Sequence, residues 1–370
     1  MGFHVRLPPR HGEPWPEAMA DQVAMNWIWL EEAARFAAEN ETPWPYDLRR
    51  HLEGGYFEPP PFNEILGPVR PRGETNGLVL RGGQKVVSWG DTRQVDFTFS
   101  AAKSYLSMLA GVAVMDGLIG DLDEPVGRTV ADGGFDGPHN GQITWRHLLQ
   151  NTSEWEGSLF GKSDIIDRNR NLAVEGKGVK GDPRPLCAPG EFWEYNDVRV
   201  NRLSLALLRR FCRSLPEVFA ERIMRPIGAS SDWSWHGYKT STVNIDGTLI
   251  ESVSGGTHWG GGMLIHAEDQ ARLGLLMLMD GEWNGQRILP EGWVAESLRP
   301  CPLKPTYGLL WWLNTNFGRY PSAPERSFFA SGAGGNLTWI DPDRDLVAVA
   351  RWLDPTAIDT FIRLVMQAMT

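Results

Sequence analysis

The segment that most constrains this chain is FTFSAAKSYL, residues 97 to 106. Apolar residues recur at helical spacing after it until Gly117, which predicts a buried helix. On that helix Ser100 lies in the first turn, and Lys103 lies three residues later on the same face. The segment therefore predicts a hydroxyl beside an amine at the start of a core helix.

This pair has the composition of a catalytic site. A serine hydroxyl is a poor nucleophile at neutral pH and needs a base nearby, a role that a lysine desolvated among apolar side chains can fill. The helix N-terminus adds positive potential where an oxyanion would develop. The same spacing occurs about once by chance in a chain of this size, so a polar pair on an ordinary helix is the alternative.

The composition is that of a globular protein with one large domain or two coupled ones: 370 residues, 42% hydrophobic and 22% charged. The net charge of -10 argues against nucleic acid or an anionic membrane as the main partner. The start, MGFHVRLPPRHGEPWP, lacks the pattern of an export signal, and no apolar run reaches membrane-spanning length. We therefore expect a cytoplasmic protein that acts on a small molecule.

Cysteine and histidine usage gives little support to a disulfide or a metal site. Cys187, Cys212 and Cys301 are far apart and are most simply free thiols in a reducing compartment. The eight histidines form no pair with metal-ligand spacing, so no metal is expected. The 17 tryptophans could line a cleft or fill the core, and several lie near glycine or proline: Trp44, Trp89, Trp155, Trp259 and Trp283.

The order of strand-like and helical runs along the chain predicts one α/β domain, to which both ends of the chain contribute. Residues 1–75 form an N-terminal helical appendage, with a helix from Trp15 to Asn40. Residues 76–124 and 255–370 form the α/β sheet domain, because strand-like runs recur in both. Residues 125–254 read as helices and long loops, so we expect an inserted all-helical domain, with a polar loop at 156–190 that covers the site.

Five motifs follow one another along the chain: FTFSAAKS, HLLQNTSEWEG, FWEYND, HWGGGM and ASGAGGNLTWIDPDRDLVAV. Their order is the one found in a known protein family. Together they resemble the serine β-lactamase and penicillin-binding-protein-like hydrolases over residues 75–370. The likeness is greatest to the esterase and amidase branch, class C β-lactamase-like carboxylesterases and 6-aminohexanoate-dimer hydrolases. The resemblance implies a β-lactamase/transpeptidase-like fold, an antiparallel sheet flanked by helices with an inserted helical domain.

The resemblance also assigns roles to single residues. Ser100 would be the nucleophile and Lys103 its base partner. The family's Tyr-x-Asn motif falls on residues 195–197, so Tyr195 would shuttle protons over the serine. Asp197 stands where the family usually has asparagine. An acid there could accept a hydrogen bond from Lys103 and shift the base role towards Tyr195. Its negative charge would also disfavour binding of an anionic substrate.

The family's third motif, a triplet with a basic residue first, falls on residues 330–332. Its base is replaced by Ala330, which counts against binding of a substrate carboxylate. The N–H groups of Ser100 and Ala333 would still form an oxyanion hole. The loop glycines would let substrate approach, or simply form a turn: Gly332, Gly334 and Gly335. His258 and Trp259 are possible substrate contacts in a glycine-rich run.

The expected function is hydrolysis of a carboxylic ester or a small uncharged amide through an acyl-enzyme on Ser100, without a cofactor. β-Lactamase, D-amino peptidase or DD-peptidase activity is the enzymatic alternative. A non-catalytic binding protein on the same fold is the alternative from another class. The oligomeric state is left open.

Overall fold

The computed structural model describes residues 8–10, 12–170 and 179–370. Its α-helices are α1 (Trp27–Glu39), α2 (Leu48–Glu53), α3 (Ala102–Met115), α4 (Trp145–Leu149), α5 (Asp197–Phe211), α6 (Leu215–Phe219), α7 (Ala267–Leu278), α8 (Trp293–Ser297) and α9 (Ile358–Gln367). None of the helices among these described residues combines the length and apolar character that a membrane span requires.

The strands are short except in the two larger sheets. They are β1 (Asn76–Arg81), β2 (Gln84–Trp89), β3 (Asp96–Phe97), β4 (Ser158–Leu159), β5 (Lys162–Ser163), β6 (Ser234–Ile245), β7 (Thr248–Val253), β8 (Gly262–Ile265), β9 (Glu282–Trp283), β10 (Gln286–Arg287), β11 (Trp312–Leu313), β12 (Phe328–Gly332), β13 (Asn336–Asp341) and β14 (Leu346–Arg351). This mixture of helices and antiparallel sheets confirms the predicted α/β fold class.

The main sheet is antiparallel, with the strand order β11-β12-β13-β14-β1-β2. Strands from the two halves of the chain meet where β14 pairs with β1. Helix α7 packs on β13, β14 and β1, while α1 and α9 pack on each other and α1 also contacts β2. Strands β13 and β14 are buried along their whole length, and β1 is buried up to Leu80, which explains their largely apolar sequences.

A buried arginine joins this sheet to the smaller sheet β3-β8-β6-β7. The guanidinium of Arg351 donates to Asn336 Oδ1 at 2.7 Å, to Ile265 O at 2.8 Å and to Phe97 O at 2.9 Å. Because Phe97 ends β3 immediately before the segment with Ser100, this contact fixes that segment to the main sheet.

Two predicted elements differ from the structure. The region 125–254 is not all helical, because β6 and β7 form a hairpin at its end. Asp246 and Gly247 form the turn with positive φ angles of 49° and 91°, so an Asp-Gly turn signal was present in the sequence. The first long helix begins at Trp27 rather than Trp15, because Asn26 caps it.

Candidate active site

Ser100 lies where β3 passes through a 3₁₀ turn, Phe99–Ala101, into α3. The preceding residue, Phe99, has a φ of +50°, a left-handed conformation that costs energy for a residue other than glycine. Its buried ring packs edge-on against those of Trp44 and Trp352, with centroids 5.3 and 6.1 Å away. This packing holds the strained residue in place and so orients Ser100.

Lys103 is buried on the first turn of α3. Its Nζ donates to Ser100 Oγ at 2.8 Å and to Gly255 O at 3.2 Å, and it lies 2.5 Å from Asp197 Oδ1. Nζ thus makes two hydrogen bonds and one close ion pair, and an ammonium group has N–H donors for each. The contacts therefore match a protonated lysine that holds the serine hydroxyl.

Tyr195 lies directly before α5, whose first N–H groups are capped by the Asn196 side chain. Lys103 Nζ lies 4.8 Å from the centroid of the Tyr195 ring, and the guanidinium carbon of Arg170 lies 5.1 Å from it. Tyr195 and Ser100 line the same cavity. The structure thus brings together the three residues that the sequence predicted to act as a unit.

Asp197 is buried and connects the lysine to further charged groups. Its Oδ2 lies 3.2 Å from Arg170 Nη1 and 3.0 Å from His258 Nδ1, and its N–H donates to Asp167 Oδ2 at 2.8 Å. Burial opposes the charged carboxylate, but the facing imidazole and the two cations hold the pKa of Asp197 well below its usual value. Asp197 is therefore an anion that faces Lys103.

Two more carboxylates extend this network. Lys180 Nζ lies 2.5 Å from Glu58 Oε1 and 3.0 Å from Asp167 Oδ1. With Lys103 counted as an ammonium and His258 as a neutral imidazole, the network has no net charge, because its three carboxylates and three cations balance: Glu58, Asp167 and Asp197 against Lys103, Arg170 and Lys180.

The same region contains a set of metal-ligand atoms. Glu58, Asp167 and His258 place one such atom each within 4.8 Å of the others. However, Lys180 already contacts two of these groups, and Arg170 Nη2 lies 2.7 Å from Nε2 of His258. Since protein cations already contact the donor atoms that a metal would need, the set fits an ion-pair network better than a metal centre.

The glycine-rich run 255–262 borders the site, but its aromatic residues do not reach the cavity. His258 is buried behind Asp197, and burial followed by the nearby guanidinium lowers its pKa. Trp259 is fully buried, and its Nε1 donates to Phe62 O at 2.9 Å. His258 and Trp259, which were predicted to contact substrate, do not line this cavity, because both side chains pack against the N-terminal region.

A cavity of about 240 Å³ opens in front of Ser100. Trp312 and Tyr320 supply aromatic lining, whereas the five tryptophans named above as cleft candidates are buried and do not line it. Arg170 and Arg319 add two guanidinium groups, and no carboxylate lines the cavity within the described part of the chain. A larger groove, of about 1010 Å³, lies along β2 and contains none of these residues.

The turn between β12 and β13 forms one wall of the cavity. A Cβ on Gly332 would lie 1.8 Å from Thr98 O, so only glycine lets β12 approach the nucleophile segment. A Cβ on Gly334 would lie 2.7 Å from the Trp352 ring. Both glycines line the cavity, but protein atoms fill the space that their missing side chains leave. Ala333, whose N–H is predicted to face an oxyanion, lies between them.

Neither arginine of the cavity was predicted from the sequence. Arg170 comes from the polar region that was predicted to cover the site. Arg319 lies between β11 and β12, and its Nη2 donates to Ser331 Oγ at 3.0 Å. Although Ala330 is buried and supplies no charge, a guanidinium therefore lies beside the same strand. Neither arginine belongs to a local pattern that could have identified it.

Comparisons with known proteins identify the family and the fold. The family model described as Beta-lactamase matches residues 78–352. The chain is 24% identical over 316 residues to the 6-aminohexanoate-dimer hydrolase of Paenarthrobacter ureafaciens, with 75% of this chain and 72% of that protein covered.

Solved structures show the same fold. A penicillin-binding protein homologue from Caulobacter crescentus has a TM-score of 0.56 and 15% identity, with 88% of this chain and 97% of that chain covered. A family VIII carboxylesterase also has a TM-score of 0.56, with 16% identity and 92% and 96% coverage. These findings confirm both the resemblance and the fold that the motifs implied.

Proposed function

Since the chain belongs to the beta-lactamase family, we propose that it is a serine hydrolase that cleaves a carboxylic ester or small amide through an acyl-enzyme on Ser100. The observation that carries the proposal is the 2.8 Å contact between Lys103 Nζ and Ser100 Oγ, in a cavity that Tyr195 also lines. Relatives named as a 6-aminohexanoate-dimer hydrolase and a carboxylesterase support amide or ester cleavage.

In the first step Ser100 Oγ bonds to the substrate carbonyl carbon. Because Lys103 Nζ is paired with the Asp197 carboxylate and donates to Ser100 Oγ, we assign the base role to the Tyr195 oxygen, which takes the serine proton as a phenolate. Lys103 and Arg170 place positive charge beside that ring. The N–H groups of Ser100 and Ala333 stabilise the tetrahedral oxyanion. Tyr195 then gives the proton to the leaving alcohol or amine as its bond to carbon breaks.

In the second step a water molecule attacks the acyl carbon. Tyr195 takes a proton from this water, and the new tetrahedral intermediate collapses to the free acid as the bond to Ser100 Oγ breaks. The proton returns to the serine, which restores the starting state. This chemistry consumes only water, and all proton transfers pass through side chains of the cavity.

Covalent labelling tests the nucleophile. A fluorophosphonate probe should label the wild-type protein, and Ser100→Ala should abolish labelling and reduce hydrolysis of short p-nitrophenyl esters at least about a thousandfold. Ser104→Ala is the matched control, because the Ser104 hydroxyl donates to Leu310 O at 2.8 Å and does not line the cavity. Equal labelling of Ser100→Ala and wild type would contradict the proposal.

The same assays address the alternatives. Faster turnover of a chromogenic cephalosporin than of p-nitrophenyl esters would favour a β-lactamase. A protein that is not labelled and turns over neither substrate would be a binding protein on a hydrolase fold.

A further inference from the structure

His258 has charged groups at both of its ring nitrogens. Nε2 lies 2.7 Å from Nη2 of Arg170, and because a guanidinium can only donate, Nε2 accepts this hydrogen bond. Nδ1 lies 3.0 Å from Asp197 Oδ2 and 3.3 Å from Glu58 Oε1, close contacts that are not aligned as hydrogen bonds. A donor at Nε2 and two carboxylates at Nδ1 together select the neutral ring with its proton on Nδ1.

Packing holds the His258 ring in this orientation. Its face stacks on Phe57, with centroids 4.1 Å apart and 23° between the planes, and the Trp259 ring meets it edge-on at 5.6 Å. Only 5% of the residue is exposed. Nε2 is therefore an acceptor whose position is fixed by the aromatic rings around it.

Arg170 connects this acceptor to the cavity. Its Nη1 lies 3.2 Å from Asp197 Oδ2 and 3.5 Å from Asp167 Oδ2, and its Nη2 contacts His258. The guanidinium carbon lies 5.1 Å from the centroid of the Tyr195 ring. Both carboxylates also pair with lysines, whereas the imidazole adds no negative charge. His258 thus orients the guanidinium without neutralising it.

From these contacts we propose that His258 is a positioning residue of the reaction, a neutral acceptor that holds the Arg170 guanidinium against Tyr195. The positive charge then favours the phenolate over the phenol when Tyr195 acts on the serine proton. His258 acts through Arg170 and does not line the cavity. The inference rests on the proposed function, in which Tyr195 is the base.

The pH dependence of hydrolysis reports this charge. The charged and titratable groups that contact the Tyr195 ring, share its cavity or pair with its cations are Lys103, Arg170, Asp197, Tyr307 and Arg319. A base works deprotonated, so kcat/KM rises as pH increases through its titration. Loss of a nearby positive charge favours the phenol and therefore moves this acid limb to higher pH.

Two amide substitutions separate the roles of the two ring nitrogens. Glutamine can place an oxygen near the position of Nε2, whereas asparagine reaches only the position of Nδ1. His258→Asn should therefore lower kcat/KM for p-nitrophenyl acetate at pH 7 about 10- to 100-fold and move the acid limb up by about one pH unit. His258→Gln should recover most of this loss.

His236→Asn is the matched control, because His236 is half-buried, contacts Ser234 Oγ and does not line the cavity. It should leave the pH profile unchanged. Arg170→Gln should reproduce the upward shift, and adding His258→Asn to it should change nothing further. Equal effects of His258→Asn and His258→Gln, an unshifted profile for His258→Asn, or additive losses in the double variant would overturn the positioning role.

A second substitution covers the case in which His258→Asn does not fold. Phe57→Leu removes the ring that stacks on His258 but keeps every charge of the network. It should move the acid limb in the same direction by a smaller amount, and an unshifted profile would overturn the positioning role.

A titration without turnover separates this inference from the proposed function. In the Ser100→Ala background, carbon NMR of ring-labelled tyrosines follows the ionisation of Tyr195, whose signal Tyr195→Phe identifies among the seven tyrosines. The midpoint should be higher in His258→Asn. If wild type hydrolyses no ester, a raised midpoint still supports the positioning role, and an unchanged midpoint refutes it. If hydrolysis depends on Ser100 but neither the midpoint nor the acid limb depends on His258, only the positioning role fails.

Discussion

Replacing Asp197 with asparagine is the most direct test of the balanced charge network. Asparagine keeps the shape of the side chain, and the resembled family usually carries it at this position. The substitution removes one of three buried carboxylates and leaves Lys103 and Arg170 without their shared anion. Removing one partner of a buried ion pair typically costs about 3–5 kcal/mol, because the other charge stays buried and uncompensated.

The expected change in melting temperature follows from the size of the protein. With an unfolding entropy of about 2.1 cal/mol/K per residue, a chain of 370 residues has about 0.8 kcal/mol/K. A loss of 3–5 kcal/mol then lowers Tm by about 4–6 °C. Scanning calorimetry at neutral pH measures the shift directly.

The pH dependence gives the experiment a second readout. Because the folded pKa of Asp197 is lowered, its stabilisation is fully present above the unfolded value of about 3.9 and is lost as pH falls through the folded pKa. The Tm gap between wild type and Asp197→Asn should therefore be constant between about pH 5 and 8.

An exposed aspartate supplies the control for this experiment. Asp343 pairs with Arg326 at the surface, so Asp343→Asn should cost less than about 1 kcal/mol. Equal Tm values for Asp197→Asn and Asp343→Asn would refute the reasoning about the buried network.

Two further substitutions address the proton transfer and the cavity wall. Tyr195→Phe should reduce ester kcat/KM about 100- to 10,000-fold with little change in Tm. The control Tyr46→Phe, which removes a surface hydroxyl, should leave activity intact. Near-normal turnover by Tyr195→Phe would contradict the assigned base. Gly332→Ala should lower Tm and slow fluorophosphonate labelling of Ser100, because its Cβ would lie 1.8 Å from Thr98 O; wild-type values for both would contradict the close approach.

The part of the site predicted from sequence is the part that local structure determines. Helical spacing alone places Ser100 and Lys103 on one face, and Lys103 Nζ does lie 2.8 Å from Ser100 Oγ. Tyr195 lies 92 positions after Lys103, and only the order of motifs linked it to them. The fold class was also predictable from local patterns, because strand-like runs occur at both ends of the chain.

The missed residues are those whose position depends on tertiary packing. Arg170, Arg319 and Glu58 lie in irregular segments, where no periodicity indicates which way a long side chain points. Their partners come from other parts of the fold, so the charges they meet could not be read from neighbouring residues. The hairpin at Asp246 is different, because its Asp-Gly turn is a local signal in the sequence, although the segments before it are helical.

The position of Glu58 has a consequence for attempts to transplant this chemistry. Glu58 belongs to the N-terminal region, yet it pairs with Lys180, which pairs with Asp167, which in turn holds the backbone of Asp197. A graft of the Ser100 helix and the Tyr195 segment onto a foreign scaffold would arrive without these counter-charges. The charge balance around Lys103 depends on carboxylates from distant segments of the chain, so a graft would have to include those segments as well.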